Sequence, residues 1–135
     1  MILLDGKIAS QSVKDDLKQQ VIELQNNGSR SPHLAAILIG NDGASETYVA
    51  SKVKNCAEVG IESTLIRLDA TVSEAVLLEK IKALNHDNNI DGILVQLPLP
   101  KHIDELKITQ AIDPKKDVDG FHPSNVGRLV QGLNT

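Results

Sequence analysis

The chain has 135 residues, 41% of them hydrophobic, which suffices for one sizeable core and not for two ordinary domains. A formal net charge of -4 leaves no basic excess to neutralise phosphates, so nucleic acid is not an expected partner. No apolar run of about 18 residues and no signal-peptide pattern is present, which points to a cytoplasmic protein with no membrane engagement.

Residues 7–27 place Ile8, Val13, Leu17, Val21 and Leu24 at mostly three- and four-residue spacings before Gly28, predicting an amphipathic helix. The continuously apolar run 34–39 follows Pro32 and ends at Gly40, as a strand buried on both faces does. A second helix follows, with Ser45 as its expected cap, Val49, Val53, Cys56 and Ala57 as its apolar stripe and Gly60 as its stop. The alternation repeats as strand 61–68, helix 73–86, strand 90–97 and helix 103–112. Such an order predicts an α/β fold, a three-layer domain with a mostly parallel sheet flanked by helices. Right-handed crossovers then set the carboxyl ends of the strands along one edge, where ligands bind. From Asp113, the residues Pro114, Gly120, Pro123, Gly127 and Gly132 predict a loop-rich tail.

Three groups of residues can carry chemistry. Tyr48 and Lys52 are four apart on the second helix and share a face. Each precedes an apolar stripe residue, which puts them at the rim of the core, where partial desolvation of an amine favours the neutral form that accepts protons. An ordinary surface lysine beside a half-packed tyrosine has the same spacing. Gln96 ends the apolar strand in Asp91-Gly92-Ile93-Leu94-Val95-Gln96-Leu97-Pro98-Leu99-Pro100, so its amide arrives at the ligand edge, and the two prolines predict a rigid extended exit. A glutamine satisfied by backbone groups is the plain alternative. Asp117-Val118-Asp119-Gly120-Phe121-His122-Pro123 reads as an Asp-Gly turn or as a carboxylate offered to a donor-rich heterocycle. Calcium fails there, since Lys115 and Val126 fall where a calcium loop needs carboxylates.

Gly40-Asn41-Asp42-Gly43-Ala44-Ser45 opens a helix after a strand but fits no dinucleotide or P-loop pattern. His33, His86, His102 and His122 lack metal-ligand spacing, so no metal is expected. Cys56 excludes a disulfide by being alone, and reads as a core residue rather than a nucleophile.

The blocks Gly43-Ala44-Ser45 with Tyr48-Val49-Ala50-Ser51-Lys52, the Asp91 to Pro100 run, and Lys116-Asp117-Val118-Asp119-Gly120-Phe121-His122-Pro123 closely resemble three signatures of the methylenetetrahydrofolate dehydrogenase/cyclohydrolase family. The resemblance covers essentially the whole chain and implies that residues 1–135 are the amino-terminal, folate-binding catalytic domain. It implies a protein that oxidises methylenetetrahydrofolate with NADP and hydrolyses the resulting methenyl cation to formyltetrahydrofolate. By the same resemblance Lys52 is the central catalytic residue, Tyr48 stacks on the folate and Gln96 tunes the lysine. Asp119 hydrogen-bonds the pterin, and Pro98 and Leu99 belong to the substrate wall. The family's NADP site lies in a following Rossmann-type domain, whereas this sequence stops at Thr135. The resemblance further implies a homodimer of the longer protein, with tetrahydrofolate derivatives as partners. A phosphorylatable receiver domain shares the length and alternation, but needs an aspartate where Gln96 stands. A non-catalytic folate-binding fragment remains the second reading.

Overall fold

The computed structural model describes residues 5–133; the start of the chain read above for a signal sequence lies partly outside them. The elements are α1 (Gly6–Asn26), β1 (His33–Ile39), α2 (Gly43–Val59), β2 (Glu62–Leu68), α3 (Glu74–His86), β3 (Gly92–Val95), α4 (Glu105–Ala111) and α5 (Pro123–Val130). The three strands form one all-parallel sheet in the order β2-β1-β3. From β1 the chain steps one way to β2 and then back across β1 to β3. Right-handed crossovers therefore put α2 and α3 on opposite faces, and the strand order reverses between β1 and β3. That is the crevice in which an α/β sheet binds its ligand.

On one face Ala35, Ile37 and Ile39 of β1 and Ile93 and Val95 of β3 pack against Leu77 and Ile81 of α3 and Ile108 of α4. Each of these large side chains removes enough apolar surface to contribute about 1.5–3 kcal/mol. On the other face α2 lies over β1 and β2, burying Val49 and Val59, and α1 packs on α2 as an outer layer. β1 is buried on both faces, as its unbroken apolar run predicts, while β2 alternates between half-buried and exposed because it is a sheet edge. Among the described residues no helix is long and apolar enough to cross a membrane.

Four expectations need correction. The α2 cap is Asp42, not Ser45: Asp42 is extended and accepts the Ser45 N–H at 2.8 Å, and Ser45 is buried one turn inside. The third strand is four residues long rather than eight. Asp91 still donates its N–H to the His33 carbonyl at 2.9 Å but lies outside the regular strand, its carboxylate accepting Arg30 bidentately and the His33 N–H, and the chain bends at Leu97 and Pro98, joined by a cis peptide, instead of running extended. The α1 helix forms, but Ile8, Val13, Leu17 and Leu24 stay exposed and Val21 is its buried residue, since α1 packs chiefly on α2 rather than on the sheet. The tail, finally, is not all loop. His122 caps α5 by accepting the Ser124 N–H, Pro123 fits its first turn, and Gly127 is tolerated inside it for about 1 kcal/mol.

The tail also extends the sheet. Ile93 N–H donates to the Lys116 carbonyl at 2.7 Å, and Ile93 and Asp117 form a parallel bridge beside the free edge of β3. Lys116 fastens this segment by donating from Nζ to the carbonyls of Leu84 and Asp87 at the end of α3. Gly92 makes the approach feasible, because a Cβ there would lie 2.6 Å from Cγ1 of Val118. Gly92→Ala is therefore expected to displace the 117–119 backbone and to cost about 1–3 kcal/mol. Chemical denaturation checks it, and an unchanged midpoint would show that Val118 yields freely.

Candidate active site

At the carboxyl end of β3, on the side where the strand order reverses, a crevice of about 170 Å³ is lined by Lys52, Val95, Gln96, Leu97, Asp119 and Phe121. Three separate parts of the chain supply it: α2 gives Lys52, the end of β3 gives Gln96, and the tail beside β3 gives Asp119 and Phe121.

Gln96 is the pivot. Its N–H continues the ladder to the Ile37 carbonyl at 2.9 Å, which fixes its backbone at the end of the buried strand. Its Nε2 donates to the Leu97 carbonyl at 2.7 Å, and its Oε1 receives Nζ of Lys52 at 3.4 Å. The two contacts assign the amide consistently, because a flipped amide would oppose donor to donor and acceptor to acceptor. At 3.4 Å the lysine contact is long, so it aims Nζ without immobilising it.

Asp119 is an exposed loop residue that lines the crevice. Burial pushes its carboxyl above the ordinary range, the Lys52 charge pulls it back, and neighbouring Asp117 adds to the rise. The Asp-Gly turn expected here is made by Asp117, whose Oδ1 accepts the Gly120 N–H at 3.1 Å. Asp119 is thereby left to face the cavity.

Other sequence candidates fall elsewhere. Tyr48 lies one turn before Lys52 on α2 but is 64% exposed and does not line the cavity, so it is more open to solvent than the partly desolvated rim position expected of it. Pro98 is exposed, and Leu99 packs into the core with its N–H donated to Glu105. Neither lines the cavity. Phe121 does, and sequence reasoning missed it, although it is one of only two aromatic residues in the chain and sits inside a motif.

The histidines have structural partners: Thr64 for His33, the Lys82 carbonyl for His86, the Val72 carbonyl for His102, and the α5 cap for His122. Among the described residues no cluster of acidic, histidine and cysteine side chains could hold a metal ion. Burial pushes the Cys56 thiol up, which works against a nucleophilic role. The turn that opens α2 does not suit a dinucleotide. The Asp42 carboxylate already occupies the helix N-terminus, accepting both N–H and Oγ–H of Ser45, and would repel a phosphate.

Residues 4–119 match the family described as tetrahydrofolate dehydrogenase/cyclohydrolase, catalytic domain. The chain belongs to this family. It is similar to the bifunctional protein FolD of Flavobacterium johnsoniae, 59% identical over 130 residues that make up 96% of this chain and 44% of that protein. FolD of Cytophaga hutchinsonii is 56% identical over the full 135 residues, which cover 47% of its length. Among solved structures, the FolD methylenetetrahydrofolate dehydrogenase/cyclohydrolase from Campylobacter jejuni superposes with a TM-score of 0.96 at 48% identity, over 100% of this chain and 48% of that one. The Trypanosoma brucei enzyme, complexed with NADP cofactor and inhibitor, gives 0.92 at 32% identity over 98% and 46%. The chain thus spans just under half the length of the relatives it matches. A member of the tetrahydrofolate dehydrogenase/cyclohydrolase family with this crevice presents an amine, an amide and a carboxylate to one small space. The combination suits proton transfer beside a ligand rich in N–H donors.

Proposed function

We propose that residues 1–135 are the folate-binding catalytic domain of a methylenetetrahydrofolate dehydrogenase/methenyltetrahydrofolate cyclohydrolase, with tetrahydrofolate derivatives as substrates. The observation that carries this reading is the meeting of Lys52 Nζ with Gln96 Oε1 in the cavity that Asp119 also lines. In hydrolysis, water adds to the cationic methenyl carbon, and the adduct collapses by breaking one of its two C–N bonds. Lys52 takes the first proton that water loses and returns it to the departing nitrogen as that C–N bond breaks, the hydroxyl proton of the adduct passes to solvent as the formyl C=O forms, and Gln96 keeps Nζ aimed at the bridge. The Asp119 carboxylate accepts from the amino and ring N–H groups of the pterin. Tyr48 covers the folate by stacking at the mouth, and Pro98 and Leu99 shape the adjoining wall through the bend after β3.

Oxidation needs a hydride acceptor. The Asp42-filled turn and the family membership support NADP held by a Rossmann-type domain outside this chain, so no step of hydride transfer is assigned to the residues described. The same reading places the longer protein in the cytoplasm as a homodimer, with neither nucleic acid nor membrane as a partner, in keeping with the net negative charge of these 135 residues.

Hydrolysis consumes no cofactor, which makes it the direct test. Loss of methenyltetrahydrofolate absorbance is expected to run faster with this chain than in buffer, slowly because the crevice is open on one side, and without any NADP reduction. NADP reduction by this chain alone would overturn the assignment of the cofactor elsewhere. Tight folate binding with no acceleration at saturation would favour the reading of a non-catalytic folate binder.

A further inference from the structure

Asp119 and Phe121 reach the cavity on an irregular stretch between α4 and α5, and a loop places its side chains only as well as its ties hold it. Here the ties converge on Asp117. Besides the Gly120 N–H, its carboxylate accepts the His122 N–H at 2.8 Å and Nδ2 of Asn125 at 3.0 Å, both on Oδ2. Asn125 is only 7% exposed, and the same Nδ2 donates to the Pro114 carbonyl at 2.9 Å. The first turn of α5 is thus fastened to the beginning of the loop, and the backbone of Asp117 is fastened to β3 through Ile93. The hydrogen bonds at residues 117, 120 and 122 bracket Asp119 and Phe121 on both sides.

We propose that Asp117 and Asn125 are a positioning pair that holds the Asp119 carboxylate and the Phe121 ring in the crevice, so that a folate meets a wall already formed. The proposal rests on the reading of this crevice as a folate site. The residue types are demanded by the bonds. Three N–H donors converge on Asp117, which a carboxylate accepts and an amide cannot, since an asparagine there would turn its own N–H groups against one of them. Position 125 must donate twice, and an aspartate there would face the Asp117 charge at hydrogen-bond distance.

The test uses Asp117→Asn, Asn125→Ala and Asn125→Leu, each alone and with Asp119→Ala, with folding checked by circular dichroism. Methenyltetrahydrofolate affinity is measured by calorimetry, and the titration of the Asp119 carboxyl by carbon-13 NMR. Only the neutral substitutions at 125 enter the titration, because removing the Asp117 charge would by itself shift Asp119. Folded single variants are expected to bind folate on the order of tenfold more weakly, as loss of a hydrogen bond to a charged group does. In the Asp119→Ala background the further loss should be under about twofold, the mark of residues acting through one another. The Asp119 titration should fall toward the ordinary carboxylate range in the 125 variants. Equal losses in both backgrounds, or an unmoved Asp119 titration in a folded 125 variant, would overturn the proposal in favour of a purely structural pair. If Asp119→Ala alone leaves folate affinity intact, it is the folate reading that fails, and the titration still decides whether the pair positions Asp119. If neither 125 variant folds, the affinities of Asp117→Asn in the two backgrounds decide.

Discussion

Replacing Lys52 with methionine is expected to remove the hydrolysis of methenyltetrahydrofolate by this chain, a loss of about 10²–10⁴ in rate, the usual worth of a positioned proton-transfer group. The fold should survive. Lys52 is only partly buried, methionine keeps its apolar stem, and the bond surrendered is the long 3.4 Å contact with Gln96. A stability change below about 1 kcal/mol is expected for such a site. Gln96 loses a partner but not its orientation, because Nε2 remains tied to the Leu97 carbonyl. Hydrolysis kinetics at saturating folate, paired with thermal melts, separate the two effects. A Lys52→Met chain that hydrolyses at the normal rate would end the assignment of this lysine.

Asp119→Ala acts on binding. A pterin contact made equally in the bound substrate and in the transition state is uniform binding, so affinity should fall by about 1.5–3 kcal/mol while the rate of the bound complex changes little. Unchanged affinity in calorimetry would contradict this. Asp119→Asn should in addition show what the site costs the fold. The folded Asp119 carboxyl is raised above its unfolded value, chiefly by burial, so its stability contribution is complete below the unfolded value and is lost as pH rises through the folded one. The amide escapes that loss. Asp119→Asn is thus expected to raise stability at neutral pH, by less than about 1 kcal/mol after solvent screening and read as a higher Tm, and to leave it nearly unchanged near pH 3, where the Asp119 carboxyl of the parent chain is largely protonated folded and unfolded alike. A lower Tm at neutral pH would show that the carboxylate is welcome where it lies.

Periodicity made the layers legible. The unbroken run of β1 and the Gly60 stop of α2 carry local signals strong enough to read, and the strand-helix alternation carried the parallel sheet with them. Lys52 and Gln96 were legible for the same reason, since each is defined by its place on a regular element. What could not be read was set by partners distant in sequence. Nothing near β3 says that Asp91 will turn away to Arg30, and nothing near α1 says that only Val21 of its stripe will be covered. The two helix caps show how local competition is decided. Asp42 and Ser45 are both capping residue types three apart, and the extended backbone at Asp42 gives it the role. In the tail, frequent glycine and proline concealed α5, although Pro123 after a capping His122 is a helix start as much as a turn. Phe121 went unassigned because an aromatic residue outside a periodic element carries no signal of what it faces.

Lys52, Gln96 and Asp119 lie on segments the chain makes one after another, and a parallel sheet has no hairpin to bring any two of them together early. Each pairing in the order β2-β1-β3 closes a loop that contains at least one whole helix, and the bridge from Ile93 to Asp117 is laid on the outside of the pairing between β1 and β3. The crevice is consequently complete only when folding is. A ligand that fills it selects the finished molecule over every partly folded form, and at a hundredfold excess over its Kd shifts the folding equilibrium by about 2.7 kcal/mol. During synthesis the sheet can pair as soon as β3 is available, but the wall that carries Asp119 and Phe121 is not tied down until Asn125 has left the ribosome and the tail has closed over Gly92.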